Sequence, residues 1–103
     1  MNVRIICIDD KERPDEIPPQ NWIKKGTEYN LIYIHWHVAQ GVQGFSLAEI
    51  CPPVDCPYES YKASRFAIHK DDILKFIRLA EECTNMNNVE IKQLVEQLNT
   101  IEQ

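Results

Sequence analysis

The residues most suited to chemistry in this 103-residue chain are the pair in His35-Trp36-His37. Alternate residues of a strand point the same way, which sets two imidazoles about 7 Å apart, close enough to share one zinc ion. A third ligand would have to come from Glu49 or Asp55, and sequence alone places neither on the required face. Two polar-tipped aromatics on a half-exposed strand face need no third partner, so that reading is preferred: no metal and no cofactor are expected. Cys51-x4-Cys56 lacks the two-residue gap of zinc ribbons and redox pairs. It can close a small disulfide in oxidising surroundings, but these two, with Cys7 and Cys83, are expected as thiols. A cysteine nucleophile would need Cys51 or Cys56 beside His35 or His37, and nothing in the spacing indicates it. The chain has no Gly-x-Ser-x-Gly turn, P-loop, dinucleotide fingerprint or His-Glu-x-x-His helix, and only three glycines from which to build a phosphate cradle. It is not expected to be an enzyme.

Binding has more to work with. Trp22, Lys24, Lys25, Tyr29, Tyr58, Tyr61, Lys62 and Arg65 interleave aromatic and basic groups, as small barrels do when they stack bases over a positive groove. Against this stand Asp9, Asp10, Glu12, Asp15, Glu16 and Glu28, nearby in sequence, and a net charge of -5. The charge is uneven. Residues 1–70 hold nine acids and eight bases, residues 71–103 seven acids and three bases, so the acidity belongs to the tail and only demotes nucleic acid. The preferred reading is a protein-interaction or assembly module with Trp22, Tyr33, Tyr58 and Tyr61 as partner-binding residues. The alternative is single-stranded nucleic-acid binding through Lys24, Lys25, Lys62 and Arg65.

These side chains must be positioned by two kinds of element. Up to His69 the apolar pattern has a period of two or is continuous: VRIICI, YNLIYIHWHV, FSLAEI and RFAI read as strands. In the long one, strict alternation puts Ile32, Ile34, Trp36 and Val38 on one face and Tyr29, Leu31, Tyr33, His35 and His37 on the other. Gln40 to Gly44 is a short glycine-containing connection that closes a hairpin. DDKERPDEIPPQN and CPPVDCPYESYKAS, rich in proline, read as exposed loops. After His69 the period changes. Asp71 and Asp72 supply a cap or first-turn acid, and Ile73, Phe76, Ile77, Ala80 and Cys83 form the stripe of a helix. A second helix from about Val89 carries Ile91, Leu94, Leu98 and Ile101 as a short a/d seam, used either to pack a helical hairpin on the barrel or to form a homodimer.

The order of strand, proline-rich charged loop, WIKKGTEY, long strand, glycine hairpin, GFSLAEI, YES-Y and SRFAI resembles a group of short uncharacterised proteins of gut bacteria of the Bacteroidetes type and their prophages. The resemblance covers residues 3–68 and rests on Cys7-Ile8-Asp9-Asp10, Arg13-Pro14, Ile17-Pro18, Trp22, Lys24-Lys25-Gly26, Tyr29, Gly44, Leu47, Glu49-Ile50, Tyr58, Tyr61 and Arg65-Phe66. It implies a small SH3-like β-barrel and a phage or mobile-element setting, with no activity to carry over. The expected fold is therefore α+β: a five-stranded SH3-like antiparallel barrel over 1–69, then a two-helix extension over 70–103. The N-terminal apolar run of about six residues is too short for a signal-peptide core, and no stretch reaches the roughly 18 of a membrane span, so a cytoplasmic location without membrane contact is expected.

Overall fold

A computed structural model describes residues 3–37, 42–83 and 88–101 of the chain. The elements are β1 (Val3–Cys7), β2 (Glu28–His37), β3 (Val42–Leu47), β4 (Tyr61–Lys62), β5 (Phe66–His69), α1 (Ile73–Cys83), α2 (Asn88–Gln97) and β6 (Asn99–Ile101). The α+β class stands. The sheet has six strands in the order β4-β3-β2-β1-β5-β6, antiparallel except where β6 lies parallel to β5. It is open and not the expected closed five-stranded barrel. Its ends are β4, only two residues long, and β6, which occupies the outer edge of β5.

The open sheet is nevertheless strongly rolled. Phe45 on β3 and Phe66 on β5 stand three strands apart, about 14 Å across a flat sheet. Their ring centroids are 5.9 Å apart, so the sheet curls around them. Part of the bend originates in β2. It pairs with β1 through Glu28 to Leu31 and with β3 through Leu31 to His37, and the second register slips by one residue between Leu31 and Tyr33. A bulged strand bends and twists at the extra residue, and from there on its side chains exchange faces.

That exchange corrects the expected faces of β2. Tyr29 and Leu31 point into the core before the bulge and Ile34 after it, while Ile32 and Tyr33 both stand outside. The concave side is filled by Val3, Ile5, Leu31, Ile34, Phe45, Phe66 and Ile68, all essentially without solvent contact. The helix α1 closes it with Phe76 and Ala80, both fully buried, and the Phe76 ring meets Phe45 edge-on at 6.0 Å. Apolar residues at three- and four-residue spacing on α1 explain that face.

The tail departs from expectation at its end. The helix α2 stops at Gln97, and Asn99 to Ile101 form β6, paired with Ala67 to His69. Ile101 is therefore a strand residue and no part of a helical seam. Ile91 and Leu94 are buried in the same hydrophobic cluster as the sheet, within one chain. Two further corrections concern the loops. Tyr61 and Lys62, placed by sequence in a loop, form β4. The charged segment 8–27 holds a 3-10 turn at Pro19–Asn21 and buries Ile17 and Ile23, so it is folded onto the body. Gly26 closes it at φ +87°, a conformation that side chains resist, with its N–H donating to the Cys7 carbonyl at 2.8 Å.

Candidate functional site

The sequence-predicted residues separate into those consumed by the fold and those left on its surface. Trp22, Tyr61 and Arg65 are brought together, but as a clamp. Tyr61 is buried, its ring meets Trp22 at 6.0 Å, and its hydroxyl donates to the Asn21 carbonyl at 2.5 Å. Burial pushes the Tyr61 phenol well above its ordinary range. Arg65 lies over the Trp22 ring at 5.0 Å and donates to the Lys11 carbonyl at 2.6 Å, with the Asp9 carboxylate at 3.5 Å. The Trp22 indole N–H donates to the Asp10 carbonyl at 2.6 Å. These bonds hold the long 8–27 loop against the start of β5. A side chain so committed has little left to offer a ligand, whereas Lys24, Lys25 and Lys62 are exposed and separate from the clamp.

The metal candidates are also engaged. His35 Nε2 is 2.7 Å from Ser46 Oγ, and its ring packs on Tyr33 with centroids 4.8 Å apart. The side chain of His37 lies outside the described residues. Glu49 accepts from the Asn30 backbone N–H at 2.9 Å and from its side-chain amide at 2.7 Å, so it serves the β2 edge. Among the described residues no three His, Cys, Asp or Glu side chains converge. Cys7 is buried with its thiol donating to the Asp9 carbonyl, and burial raises its pKa, the opposite of an activated nucleophile. Cys51 is exposed and Cys56 partly so.

Two polar contacts that the sequence did not announce tie distant segments together, one of them between the start of the helix and the sheet. Asp72, in the 3-10 turn Lys70–Asp72 that leads into α1, is buried and bound by Arg4 of β1. One carboxylate oxygen accepts from the Arg4 backbone N–H at 2.8 Å and from Nε at 3.0 Å, and the other accepts from Nη2 at 3.0 Å. The Arg4 guanidinium holds the Asp72 carboxyl down to about 2. At the end of β5 that leads into this turn, His69 is buried with Nε2 2.7 Å from the exposed Glu28 carboxylate. Both contacts join segments distant in sequence, so no local spacing could have revealed them.

What remains accessible is the convex face of β2 and β3. Ile32 is 50% exposed and Tyr33 45%, both outward because the bulge after Leu31 keeps Tyr33 from turning into the core, with His35 and Ser46 beyond them. Tyr58 is exposed on the loop before β4. Of the four expected partner-binding aromatics, Tyr33 and Tyr58 are thus at the surface, Trp22 is half-buried and Tyr61 is enclosed. Ile32 was missed, because strict alternation groups it with Ile34, which is buried, and the bulge that separates them carries no sequence signature. No helix among the described residues is long and apolar enough to cross a membrane. Comparison with protein-family models, with curated proteins and with solved structures finds no match to this chain.

Proposed function

We propose that the chain is a non-catalytic protein-interaction module whose contact surface is the convex β2–β3 face around Ile32 and Tyr33. The observation that carries this reading is the bulge between Leu31 and Tyr33, which places two large apolar side chains next to each other in solvent. Bulges recur where a strand re-aims a side chain for function, and tyrosine supplies contact area with few rotamers to freeze. The SH3-like reading is retained for β1 to β5: five antiparallel strands in the order 4-3-2-1-5, rolled around one core, with β6 as an addition at the edge. The phage or mobile-element setting rests on the resemblance over residues 3–68. Self-association through the C-terminal helices would have to use residues other than Ile91 and Leu94, since one chain already buries them.

Affinity capture with the wild-type chain, an Ile32→Thr/Tyr33→Thr variant and a Val54→Ser control tests the proposal. A protein held by the wild type and the control and lost by the double variant is expected. An unchanged set of captured proteins sinks the reading. A labelled single-stranded oligonucleotide, titrated at about 50 and 200 mM salt, addresses the alternative, for which a steep loss of affinity between the two would be the signature. The alternative is the weaker one because Arg65 and Trp22, two of its best residues, bind each other and the loop.

A further inference from the structure

Ser46 on β3 and His35 on β2 bring a hydroxyl and a base together on the convex face. His35 Nε2 lies 2.7 Å from Ser46 Oγ, inside the span of about 2.6–3.2 Å over which a positioned base takes a proton from a nucleophile. Both side chains are half-buried, so a small molecule reaches the oxygen while the imidazole stays partly shielded from water. The ring is also held by Tyr33, with centroids 4.8 Å apart. A hydrogen bond across two strands is ordinary sheet chemistry on its own. What sets this one apart is its neighbourhood: the extra residue in β2 puts Ile32 and Tyr33 opposite Ser46, and both stand about half in solvent. The hydroxyl therefore has a base and an apolar surface within reach. The other two serines, Ser60 and Ser64, have no histidine partner among the described residues.

We propose that Ser46 is an acyl acceptor: with His35 as base, its hydroxyl takes an apolar acyl group from an activated ester or thioester, once per chain. With its proton on Nδ1, His35 accepts the Ser46 hydroxyl through Nε2. Ser46 Oγ forms a bond to the carbonyl carbon of the donor while its proton passes to Nε2. The tetrahedral adduct then collapses, the bond from that carbon to the leaving oxygen or sulfur breaks, and the leaving group carries off the proton returned by His35. The products are an ester on Ser46 and an alcohol or thiol, and nothing is oxidised or reduced. An uncharged acyl chain suits the site better than a phosphoryl group, because Ile32 and Tyr33 offer it apolar surface and the exposed Glu49 carboxylate, bonded to Asn30, opposes an anion. The chain would lie over Ile32 and Tyr33, so acylation would also close the contact surface proposed above; the transfer itself stands without that reading.

The test incubates the full wild-type chain with p-nitrophenyl octanoate or p-nitrophenyl acetate, strips thioesters from the cysteines with neutral hydroxylamine, and locates the remaining acyl groups by peptide mass spectrometry. Octanoylation of Ser46 is expected on the order of 10²-fold faster than that of Ser60 or Ser64, the lower end of what a positioned base supplies. Octanoate should outrun acetate at Ser46 by about tenfold, since Ile32 and Tyr33 cover part of the longer chain, and the Ile32→Thr/Tyr33→Thr variant should lose that preference. His35→Gln keeps a hydrogen-bonding group beside Ser46 but no base, and should slow the reaction on the order of 10²-fold. No acyl group on Ser46, acylation spread evenly over the three serines, equal rates for the two esters, or a His35→Gln chain as fast as wild type would overturn the proposal. The site and the relative rates are read on the unmodified sequence, so the folding of a variant does not decide the result. Acylation of Ser46 that leaves partner capture unchanged would count against the contact surface and uphold the acyl transfer alone.

Discussion

Replacing Asp72 by Asn removes the charge that ties α1 to β1 and should cost stability in a way that depends on pH. The carboxyl falls from 3.8 to about 2 in the folded chain, which at about 1.36 kcal/mol per pH unit amounts to about 2.5 kcal/mol. Arg4 is 44% exposed, so water screens the pair from one side and about 1–2 kcal/mol is the better expectation. The sign follows from the direction of the shift. A depressed carboxylate contributes its full stability above the unfolded value near 3.8, and that contribution is lost as pH falls through the folded value near 2. Urea unfolding of wild type and Asp72→Asn should therefore differ by about 1–2 kcal/mol at about pH 6 and by a small fraction of that at about pH 2. The Asn side chain retains one acceptor but turns an amide toward the Arg4 donors, so the neutral variant does not restore the contact. A difference of the same size at both pH values would refute the reasoning, since it would assign the loss to packing and not to charge.

Three further outcomes test the core and the loop clamp. A Cβ at Gly44 would lie 2.0 Å from Ser60 Oγ and 3.0 Å from its Cβ, so Gly44→Ala should destabilise by about 1–3 kcal/mol and Ser60→Gly should recover most of it in a denaturant series. Phe76→Ala, at a fully buried ring against Phe45, should lower unfolding stability by about 3–5 kcal/mol; a loss under about 1 kcal/mol would mean that α1 is not integral to the core. Arg65→Lys keeps the charge but gives up the planar stack on Trp22, so about 1 kcal/mol of stability should go, together with a change in tryptophan fluorescence; an unchanged spectrum would separate Arg65 from the clamp.

Several elements were legible because a local rule decided them. The apolar run VRIICI made β1, and the stripe of Ile73, Phe76, Ile77 and Ala80 made α1. Where pairing partners decided, sequence was silent. Ile101 matched a helical seam by spacing, yet β5 offered a free edge and β6 took it. Strict alternation put Leu31 and Tyr33 on one face and Ile32 and Ile34 on the other, but the extra residue in β2 leaves Ile32 and Tyr33 outside together and returns Ile34 to the core with Leu31. Trp22 and Tyr61 looked like ligand-binding aromatics because composition cannot distinguish a ring facing solvent from one holding a loop.

The bulge pair is where the functional reading stands or falls. Single exposed apolar residues are common on any surface, and an exposed Ile or Tyr alone would justify nothing. Two adjacent ones carry more weight if the fold does not need them. Ile32 and Tyr33 are about half exposed, and the Tyr33 ring packs on the half-buried His35 rather than into the core. Ile32→Thr/Tyr33→Thr should thus change unfolding stability by less than about 1 kcal/mol, within the range of ordinary surface substitutions at two sites, because threonine keeps the β-branched fit to a strand. A loss of about 2–3 kcal/mol in urea unfolding would make the pair structural, and the contact surface proposed on it would lose its basis. A near-neutral result combined with loss of a captured protein would separate what β2 does for a partner from what it does for the fold.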